Sequence, residues 1–293
     1  MELRVLKYFL VIATEGNMTR ASELLHITQP TLSRQIMQLE EELGTSLFIR
    51  GKRKMVLTED GLLLKRRAED IIGLVDKTEL EIGSQHREID GDIAIGCGLT
   101  EATNTLIEYI DGFKKLYPQV TFQLRNGNTD FILQHIDNGL IDIGIVLEPV
   151  ELEKLDYIRL KKEERWGLLV RKDSPLAKKG AITIDDLIDI PLINTSRVET
   201  QNYFKQWAKD NFSKLQITAT SDLTASSNML VKRNLGNAII IEGAMSSINT
   251  DELCFKPFYP DLITHSLIVW KKNQSFNLTV SKFIQYLNKT QKL

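Results

Sequence analysis

The stretch of residues 17–61 constrains this chain more than any other segment, because it combines two short helix patterns, a tight turn and a basic hairpin. In the first helix pattern Thr19 has the side-chain chemistry of an N-cap, and the pattern ends at residues 26–27. A short apolar face follows this cap: Ala21, Leu24 and Leu25. The segment therefore predicts a short helix that packs one face on a neighbour.

The second helix pattern starts at Thr28, another N-cap candidate, and Pro30 stands in its first turn, where a missing N–H costs nothing. Apolar residues then recur at helical spacing: Leu32, Ile36, Leu39 and Leu43. Their polar neighbours must face outward: Gln29, Thr31, Ser33, Arg34 and Gln35. Two such helices predict a helix-turn-helix whose second helix enters the major groove N-terminus first, where helix N-termini also attract phosphate.

A basic run follows Gly44 and is flanked by two short apolar segments, residues 47–49 and 55–58, which predict a hairpin, or wing. Four of its five positions are cationic and none is acidic: Arg50, Lys52, Arg53 and Lys54. A charge run is most often a solvated face. After two helices of this kind, however, the run favours contacts with the DNA backbone, which hold register without reading sequence.

One set of residues carries a family pattern: Ala21, Leu24, Leu25, Gln29, Pro30, Leu32, Ser33, Arg34, Gln35, Ile36, Leu39, Glu40, Leu43, Gly44, Leu47, Phe48, Arg50, Leu57, Thr58 and Gly61. This segment resembles the winged helix-turn-helix of the LysR-type transcriptional regulators. The resemblance implies that the residues at double-stranded DNA are Gln29, Pro30, Thr31, Ser33 and Arg34. It implies that Arg50 and Arg53 lie near phosphates or the minor groove, and the basic run adds Lys52 as a phosphate contact. Asp60 departs from the pattern, since the family usually has a small apolar residue there.

Length and composition agree with a protein of two or three domains, since 293 residues with 42% hydrophobic and 26% charged residues can bury substantial cores. No segment approaches a transmembrane span, and residues 1–4 do not open a signal peptide. We therefore expect a cytoplasmic protein with no membrane association. The net charge is −2, so the basic residues matter only through their local clustering.

Cysteine and histidine usage argues against disulfide and metal chemistry. Cys97 and Cys254 cannot make a disulfide framework and suit a reducing compartment, and the four histidines show no metal-ligand spacing. We expect no metal and no cofactor. The small molecule that we do expect is an effector.

A long helix is predicted from Glu59, and its apolar positions alternate steps of three and four: Gly61, Leu64, Ala68, Ile71, Val75, Thr78 and Ile82. That rhythm is the seam of a two-stranded coiled coil and predicts a homodimer. The alternative is a helix docked on its own domain. A dimer would place two DNA-reading heads on an inverted repeat with half-sites roughly 10 bp, or a multiple of that, apart.

The remaining sequence has an alternating β/α pattern that predicts a mostly parallel sheet with ligand space at the carboxyl ends of its strands. Strands are predicted at residues 92–96, 120–124, 141–146, 166–170, 191–193, 215–219, 238–241 and 267–270. Helices are predicted at residues 104–115, 131–137, 185–187, 201–210, 228–233 and 277–288.

This part is similar to the effector-binding portion of the same family, which itself resembles a periplasmic binding protein with two α/β lobes. The resemblance implies an α/β protein with an N-terminal winged helix-turn-helix, a long linker helix and a two-lobed effector domain. Its expected bounds are 1–58 for the DNA-binding domain, 59–88 for the linker helix, 89–161 with 266–293 for lobe 1, and 162–265 for lobe 2. A homotetramer assembled as a dimer of dimers and contact with RNA polymerase are also implied.

Hydroxyl side chains mark the expected effector pocket. By alignment with the family pattern, Thr100 and Thr129 fall where these proteins commonly present a hydroxyl to a ligand. The facing lobe could offer a second group: Asn194, Thr195, Ser196 and Arg197. Arg197 is the natural counter-charge if the effector is a small acid. The ordinary alternative for Thr or Ser before a helix is a simple cap.

Three other functions compete with an effector-controlled, sequence-specific transcriptional regulator. A redox-responsive regulator would use Cys97, which falls beside the expected pocket, but no partner thiol or electropositive motif accompanies it. A solute-binding protein would explain only the residues after Asp90, and an enzyme would need a nucleophile motif or an acid–base pair, which the sequence lacks. Salt-dependent binding to duplex DNA separates the regulator from the solute-binding protein and the enzyme.

Overall fold

The structure, a computed structural model, describes residues 1–50, 55–83, 89–98 and 100–291, and the chain divides into two compact units, Met1–Gln85 and His86–Leu293. The helices of the first unit are α1 (Leu3–Glu15), α2 (Met18–Leu24), α3 (Gln29–Leu43) and α4 (Glu59–Gly83), with a hairpin of β1 (Phe48–Arg50) and β2 (Met55–Leu57). The second unit contains β3 (Gly91–Cys97), α5 (Glu101–Leu116), β4 (Val120–Asn126), α6 (Thr129–Asp137), β5 (Ile143–Leu147), β6 (Leu155–Arg171), β7 (Pro191–Thr195), α7 (Val198–Ala208), β8 (Gln216–Ser221), α8 (Thr224–Lys232), β9 (Asn237–Ile241), β10 (Leu253–Pro257), β11 (Ile263–Lys271) and α9 (Leu278–Thr290).

Helix α1, which the sequence analysis missed, supplies much of the core of the first unit. Its buried residues recur at helical spacing: Val5, Leu6, Phe9 and Ile12. They form one cluster with Ala21 of α2 and the apolar positions of α3. Phe9 also packs on Phe48 of the hairpin, with ring centroids 5.3 Å apart. Helix α1 is therefore the platform on which the two predicted helices and the wing rest.

Helix α2 starts two residues earlier than predicted, because its N-cap is Asn17 and not Thr19. The Asn17 side chain accepts the backbone N–H groups of Thr19 at 2.9 Å and Arg20 at 3.1 Å. The helix ends at Leu24, whose side chain is 55% exposed. The predicted burial of Leu24 is thus wrong, whereas Ala21 is buried as predicted.

Helix α3 agrees closely with its sequence pattern. The Thr28 hydroxyl accepts the Thr31 N–H, and Pro30 stands in the first turn. Three of the predicted core positions are buried: Leu32, Ile36 and Leu39. The fourth, Leu43, is exposed because it is the last helical residue, after which Gly44 ends the helix at a φ of 68°.

The wing is an antiparallel pair in which Phe48 faces Leu57 and Ile49 faces Val56. Helix α4 follows at once and packs tightly against Leu47, the residue before β1. A Cβ at Gly61 would lie 2.1 Å from the carbonyl oxygen of Leu47, so only glycine allows this approach. Asp60, the position that departs from the family pattern, accepts the Thr45 hydroxyl at 2.6 Å.

The predicted coiled-coil seam of α4 instead packs against its own unit over the first half of the helix. Ala68 is fully buried in the core that α1 and α3 form, and Leu64 and Ile71 pack against the same core. The helix exposes other apolar side chains: Leu62, Leu63 and Leu74. The prediction that Ala68 faces a second chain is therefore wrong, because the N-terminal core covers it, and the same core partly covers Leu64 and Ile71.

The second unit is built on one mixed sheet in the strand order β4-β3-β5-β11-β6-β9-β7-β8, with β10 also pairing with β6. The predicted parallel pairs are present as β3 with β4 and β5, and β7 with β8 and β9. Strands β6, β10 and β11 run antiparallel to their neighbours. Strand β6 pairs with β11 up to Arg165 and with β9 from Trp166, so it links two halves of the sheet.

We call β3, β4, β5 and β11 the first half of this sheet, and β7, β8, β9 and β10 the second half. Each half has its own apolar clusters. Phe113 of α5 and Phe283 of α9 lie in a cluster on the first half, and Phe204 and Phe258 lie in a cluster on the second. Since each half is covered by separate helices, the strand ends where the two halves meet are free to line a cleft.

Several element bounds differ from prediction for local reasons. Helices α5 and α6 begin earlier than predicted, at Glu101 and Thr129 and not at residues 104 and 131. Strand β6 is far longer than residues 166–170, because its charged first part, which includes exposed Lys161 and Lys162, hides the strand pattern. Strand β10 was missed. Among the helices in the described part of the chain, none has the length and apolar character needed to cross a bilayer.

Candidate functional site

The N-terminal turn of α3 forms an exposed polar surface on a rigid base. Gln29, Pro30, Thr31 and Arg34 are exposed, and Ser33 is half-buried. The hydroxyl oxygens of Thr28 and Thr31 lie 2.8 Å apart, so the cap and the first turn are hydrogen-bonded to each other. The first turn carries no acidic residue. Because a helix N-terminus carries partial positive charge, this surface suits phosphate and base-edge acceptors.

The tip of the wing lies largely outside the described residues. Lys52 and Arg53 are among the residues that the structure leaves undescribed, and for Arg50 only the backbone, paired with Met55, is described. The hairpin itself is well anchored, since the Met55 N–H donates to the carbonyl oxygen of Gly16 at 2.9 Å. The roles assigned to these three basic residues stay predictions.

Glu40 links α3 to the wing, a role that the sequence pattern did not reveal. One of its carboxylate oxygens accepts the N–H of Leu47 at 2.7 Å and that of Phe48 at 3.3 Å. These bonds tie the C-terminal part of α3 to the first wing strand. These two hydrogen bonds, together with the apolar core, therefore fix the position of the wing relative to α3.

A cleft of about 260 Å³ lies where the carboxyl ends of the strands from both halves of the sheet meet. In the first half it is lined by residues that follow β3, by residues at and after the end of β4, and by the last residues of β5, and in the second half by residues at the ends of β7, β8 and β9. Four helices, α5, α6, α7 and α8, begin beside it. Such a cleft at strand ends is a common place for small ligands in α/β proteins.

Thr100 and Thr129 both line this cleft. Thr100 precedes α5, but its side chain makes no capping hydrogen bond, and its buried Oγ1 has no hydrogen-bond partner within the described ranges. Thr129 follows the true cap of α6, Asn128, and its Oγ1 accepts the Leu147 N–H at 3.5 Å. Neither threonine therefore acts as a side-chain cap, which was the ordinary alternative.

The residues after β7 divide into those that reach the cleft and one that does not. Asn194 is buried and accepts the Thr195 N–H at 2.8 Å, and both residues line the cleft. Ser196 is exposed and does not line it, because the chain turns outward between β7 and α7. The structure therefore does not bring Ser196 to the cleft as expected. Arg197, the next residue, does line it.

Arg197 is 8% exposed and joins the two halves of the sheet. Its Nε lies 3.1 Å from the Asp130 carboxylate on α6 and 3.5 Å from Glu199. Its Nη1 donates to the carbonyl oxygen of Leu147 at 3.3 Å and lies 3.5 Å from the Thr200 hydroxyl. The guanidinium therefore already has two carboxylates beside it, so an acidic effector would have to compete for this charge.

Several cleft residues were not predicted from the sequence. The walls are largely apolar and include Ile145, Ile239 and Ile241, and Trp166 of β6 also lines the cleft. Polar residues between the end of β8 and the first turns of α8 complete the second half: Ser221, Asp222, Thr224 and Ser227. The positions of Ser221 and Asp222, at the carboxyl end of a strand, could have indicated them, but Trp166 lies inside a strand and gave no such signal.

Cys97 is buried in the core of the first half, and its burial raises the pKa of the thiol, while a hydrogen bond with Thr103 opposes that shift. A raised pKa leaves less reactive thiolate at neutral pH. Cys254 packs against a cluster of the second half. The environment of Cys97 is that of a structural cysteine, so the redox-responsive alternative is not favoured.

Two family models match the chain with a short gap between them. The model described as the bacterial regulatory helix-turn-helix protein, lysR family, matches residues 3–62. The model described as the LysR substrate binding domain matches residues 86–292. The first match lies within the first compact unit, and the second begins at residue 86, where the second unit begins.

Similar proteins of known name are transcriptional regulators. The Hca operon transcriptional activator HcaR of Escherichia coli (strain K12) is 30% identical over 279 residues, which span 94% of this chain and 93% of the relative. HTH-type transcriptional regulator BsdA of Bacillus subtilis (strain 168) is 30% identical over 208 residues, or 70% of this chain and 71% of the relative.

Solved structures show the same fold at low sequence identity. The LysR family transcriptional regulator CbnR has a TM-score of 0.75 at 19% identity, and the comparison covers 100% of both chains. Full-length CbnR complexed with its target DNA has a TM-score of 0.72, also at 19% identity, over 99% of this chain and 100% of that one. Taken with the family models and the relatives, these findings show that the chain belongs to the LysR family and is a DNA-binding transcriptional regulator with an effector-binding domain.

Proposed function

We propose that this regulator reads an interrupted palindromic operator with the N-terminal turn of α3. The proposal rests on the exposed surface formed by Thr31, Arg34 and their neighbours. The first turn of the helix has no acidic residue, and a packed core lies beneath it. Arg and Thr side chains can donate to base edges in the major groove. The wing residues Arg50, Lys52 and Arg53 would hold the DNA backbone and add affinity without sequence preference.

A homodimer would present two such surfaces, and its contact would involve the outer face of α4. Leu62, Leu63 and Leu74 are exposed there, while Leu64, Ala68 and Ile71 of the predicted seam pack against their own unit. Leu63 and Leu74 are eleven residues apart, which places them on nearly the same side of a helix. A tetramer formed as a dimer of dimers, residence in the cytoplasm and contact with RNA polymerase complete the proposal, and each follows the family resemblance.

The proposed domain bounds are those expected from the sequence. They are 1–58 for the head, 59–88 for the linker helix, 89–161 with 266–293 for lobe 1, and 162–265 for lobe 2. The support is that β6 passes from one half of the sheet to the other between Arg165 and Trp166, and that β11 has a register shift between His265 and Leu267. Both features lie close to the proposed crossings.

The effector would be a small molecule bound in the cleft between the lobes, and a small acid fits the helix geometry. Four helices begin beside the cleft, and their N-terminal dipoles favour a carboxylate. Arg197 supplies the only basic side chain among the lining residues that the structure describes, although Asp130 and Glu199 share its charge. An acid that enters would therefore exchange with Asp130 at Arg197.

Effector binding would favour one orientation of the two lobes and so change the spacing or tilt of the DNA heads. DNA bending and polymerase contact would change in turn. A saturating effector that altered neither the length of the DNase footprint nor the bend angle of the operator would exclude this coupling.

The direct test is retention of random genomic fragments by the purified protein, followed by sequencing. Enrichment of one interrupted palindrome is the expected result. Salt-sensitive retention without an enriched motif would exclude sequence-specific reading by the free protein, and no retention at all would return the solute-binding alternative.

A further inference from the structure

Two residues that line the cleft each carry a buried polar side-chain atom with no hydrogen-bond partner among the described residues. Across the described residues, three such atoms occur: Thr100 Oγ1, Trp166 Nε1 and Asn228 Oδ1. Thr100 and Trp166 line the cleft. Buried polar groups in proteins are nearly always hydrogen-bonded, so a concentration of exceptions at one cavity points to a partner that enters from outside.

Trp166 is held in place firmly enough to act as a recognition group. It is 6% exposed and packs in the apolar cluster of the second half of the sheet. Its backbone N–H donates to the carbonyl oxygen of Leu262 at 2.8 Å, and its carbonyl oxygen accepts the Phe258 N–H at 3.1 Å. Within the described part of the chain, the indole N–H is the polar group of Trp166 that has no partner, so a ligand acceptor that reached it would gain a hydrogen bond to a side chain already held in place.

The chemistry of these two atoms limits what can bind. An indole N–H is a donor only, whereas the hydroxyl of Thr100 can donate or accept. A ligand must therefore bring an acceptor atom to Trp166. Ile145, Ile239 and Ile241 line the same cleft and favour a hydrocarbon body. The volume of about 260 Å³ suits a small, compact molecule.

We propose that Trp166 is an effector-binding residue whose Nε1–H donates to an acceptor oxygen of a compact, partly apolar ligand, with the Thr100 hydroxyl as a second contact. This inference rests on the proposed effector cleft and adds to it the residue that selects an oxygen acceptor. Trp166 begins the part of β6 that pairs with the second half of the sheet, and Thr100 precedes α5 of the first half. A ligand bound by both residues would hold the two halves together.

The test uses the full-length protein with three probes of matched size: cyclohexanecarboxylate, cyclohexanecarboxamide and cyclohexylammonium. The first two carry an acceptor oxygen, and the third carries only N–H donors. The tryptophan indoles are labelled with ¹⁵N and the isoleucine methyl groups with ¹³C, so that both the Trp166 N–H and the cleft walls are followed by NMR. Each tryptophan signal is assigned from the Trp→Phe variant in which it disappears.

The expected result is that the acid or the amide shifts the indole signal of Trp166 together with the methyl signals of Ile145, Ile239 and Ile241, while the ammonium compound shifts none of them. Trp166→Phe, which keeps an aromatic ring, should weaken binding about tenfold, the size of one lost hydrogen bond. Thr100→Val should weaken it by a smaller factor. Trp207→Phe is the matched control, because its Nε1 already donates to Pro260.

Two results would overturn the inference. One is binding that shifts the cleft methyl groups but leaves the Trp166 indole signal and the Trp166→Phe affinity unchanged. The other is absence of binding by both the acid and the amide at their highest soluble concentrations, which would exclude the proposed ligand class. A different result would show that the cleft is not the binding site: the acid and the amide would then shift only signals outside it, in the wild-type protein and in the variants alike.

Discussion

The functional side chains of the DNA-reading head are contiguous in the sequence, whereas those of the effector cleft are scattered along it. In the head, the proposed contacts come from residues 29–34 and the wing, one continuous segment. In the cleft, they come from the ends of six strands and the starts of four helices, and Thr100 and Arg197 are almost a hundred residues apart. A contiguous site can be recognised from local patterns, whereas a cleft depends on contacts that only the folded chain creates.

The two sites also differ in how their polar groups are satisfied. The head exposes its polar side chains to solvent, so a partner exchanges with water at little cost. The cleft buries Arg197 beside Asp130 and leaves the Trp166 indole without a partner in the described structure. The head should therefore lose function when single exposed side chains are removed, and the cleft when buried contacts are changed.

Gly61→Ala should have the largest effect and tests whether the head works as one packed body. The new Cβ would fall 2.1 Å from the backbone oxygen of Leu47, so α4 or the backbone at Leu47 must move. We expect a loss of about 3 kcal/mol in the stability of the N-terminal unit and a loss of DNA binding. Calorimetry should show the transition of the effector unit unchanged. Gly180→Ala, which adds a methyl group into open space, is the control.

Arg34→Ala and Lys52→Ala separate base reading from backbone contact within the head. Arg34→Ala, like Thr31→Ala, should cost about 1–3 kcal/mol on the operator and little on random DNA. Lys52→Ala should weaken binding to both DNAs similarly and reduce the salt slope by about one. Titrations at several salt concentrations measure both quantities. Equal losses on operator and random DNA for all three variants would contradict this assignment.

Asp130→Asn tests the ion pair with Arg197 that joins the two halves of the sheet. Asp130 is 60% exposed in its side chain, so solvent weakens the pair and the expected loss is at most about 1 kcal/mol. Thermal unfolding of the effector unit should shift down by a few degrees, whereas Asp156→Asn on the exposed start of β6 should leave it unchanged. An unchanged melting temperature for Asp130→Asn would show that the pair does not join the halves.

Glu164→Gln should have the smallest effect and has a defined pH dependence. Burial raises the pKa of this carboxyl group, and the Gly243 N–H, which donates to it, and nearby Lys162 oppose the shift. A raised pKa in the folded state means that stability falls as the pH rises from the usual glutamate range through the raised pKa. Glutamine removes that loss, so the variant should melt about 1–2 °C higher than wild type at neutral pH. The difference should disappear at acidic pH, and a difference that persists there would contradict the assignment.

Local signals predicted the head and the order of elements well. Thr28, Pro30 and Gly44 set the ends of α3, and the alternation of strands and helices matched the sheet. The start of α2 was misplaced because Thr19 and Asn17 offer similar capping chemistry, and only the backbone shows which residue stands outside the helix. Helix α1 was overlooked although Val5, Phe9 and Ile12 repeat at helical spacing.

Long-range packing accounts for what could not be predicted. The heptad rhythm of α4 fits a coiled coil and a helix docked on its own domain equally well, and only the position of the α1 and α3 core decides between them. In the cleft, family alignment brought Thr100 and Thr129 to the correct region, but Trp166 belongs to a buried strand pattern. Its pairing with Ile241 across the sheet is what brings it to the cavity.

The most direct test of the division between head and cleft is to select genomic fragments in parallel with the wild-type protein, Arg34→Ala and Trp166→Phe, and to compare the enriched motifs by sequencing. We predict that wild type and Trp166→Phe enrich the same interrupted palindrome, while Arg34→Ala retains DNA in a salt-sensitive manner without that motif. Enrichment of the same palindrome by Arg34→Ala, or of a different motif by Trp166→Phe, would contradict the claim that the N-terminal turn of α3 alone chooses the DNA sequence.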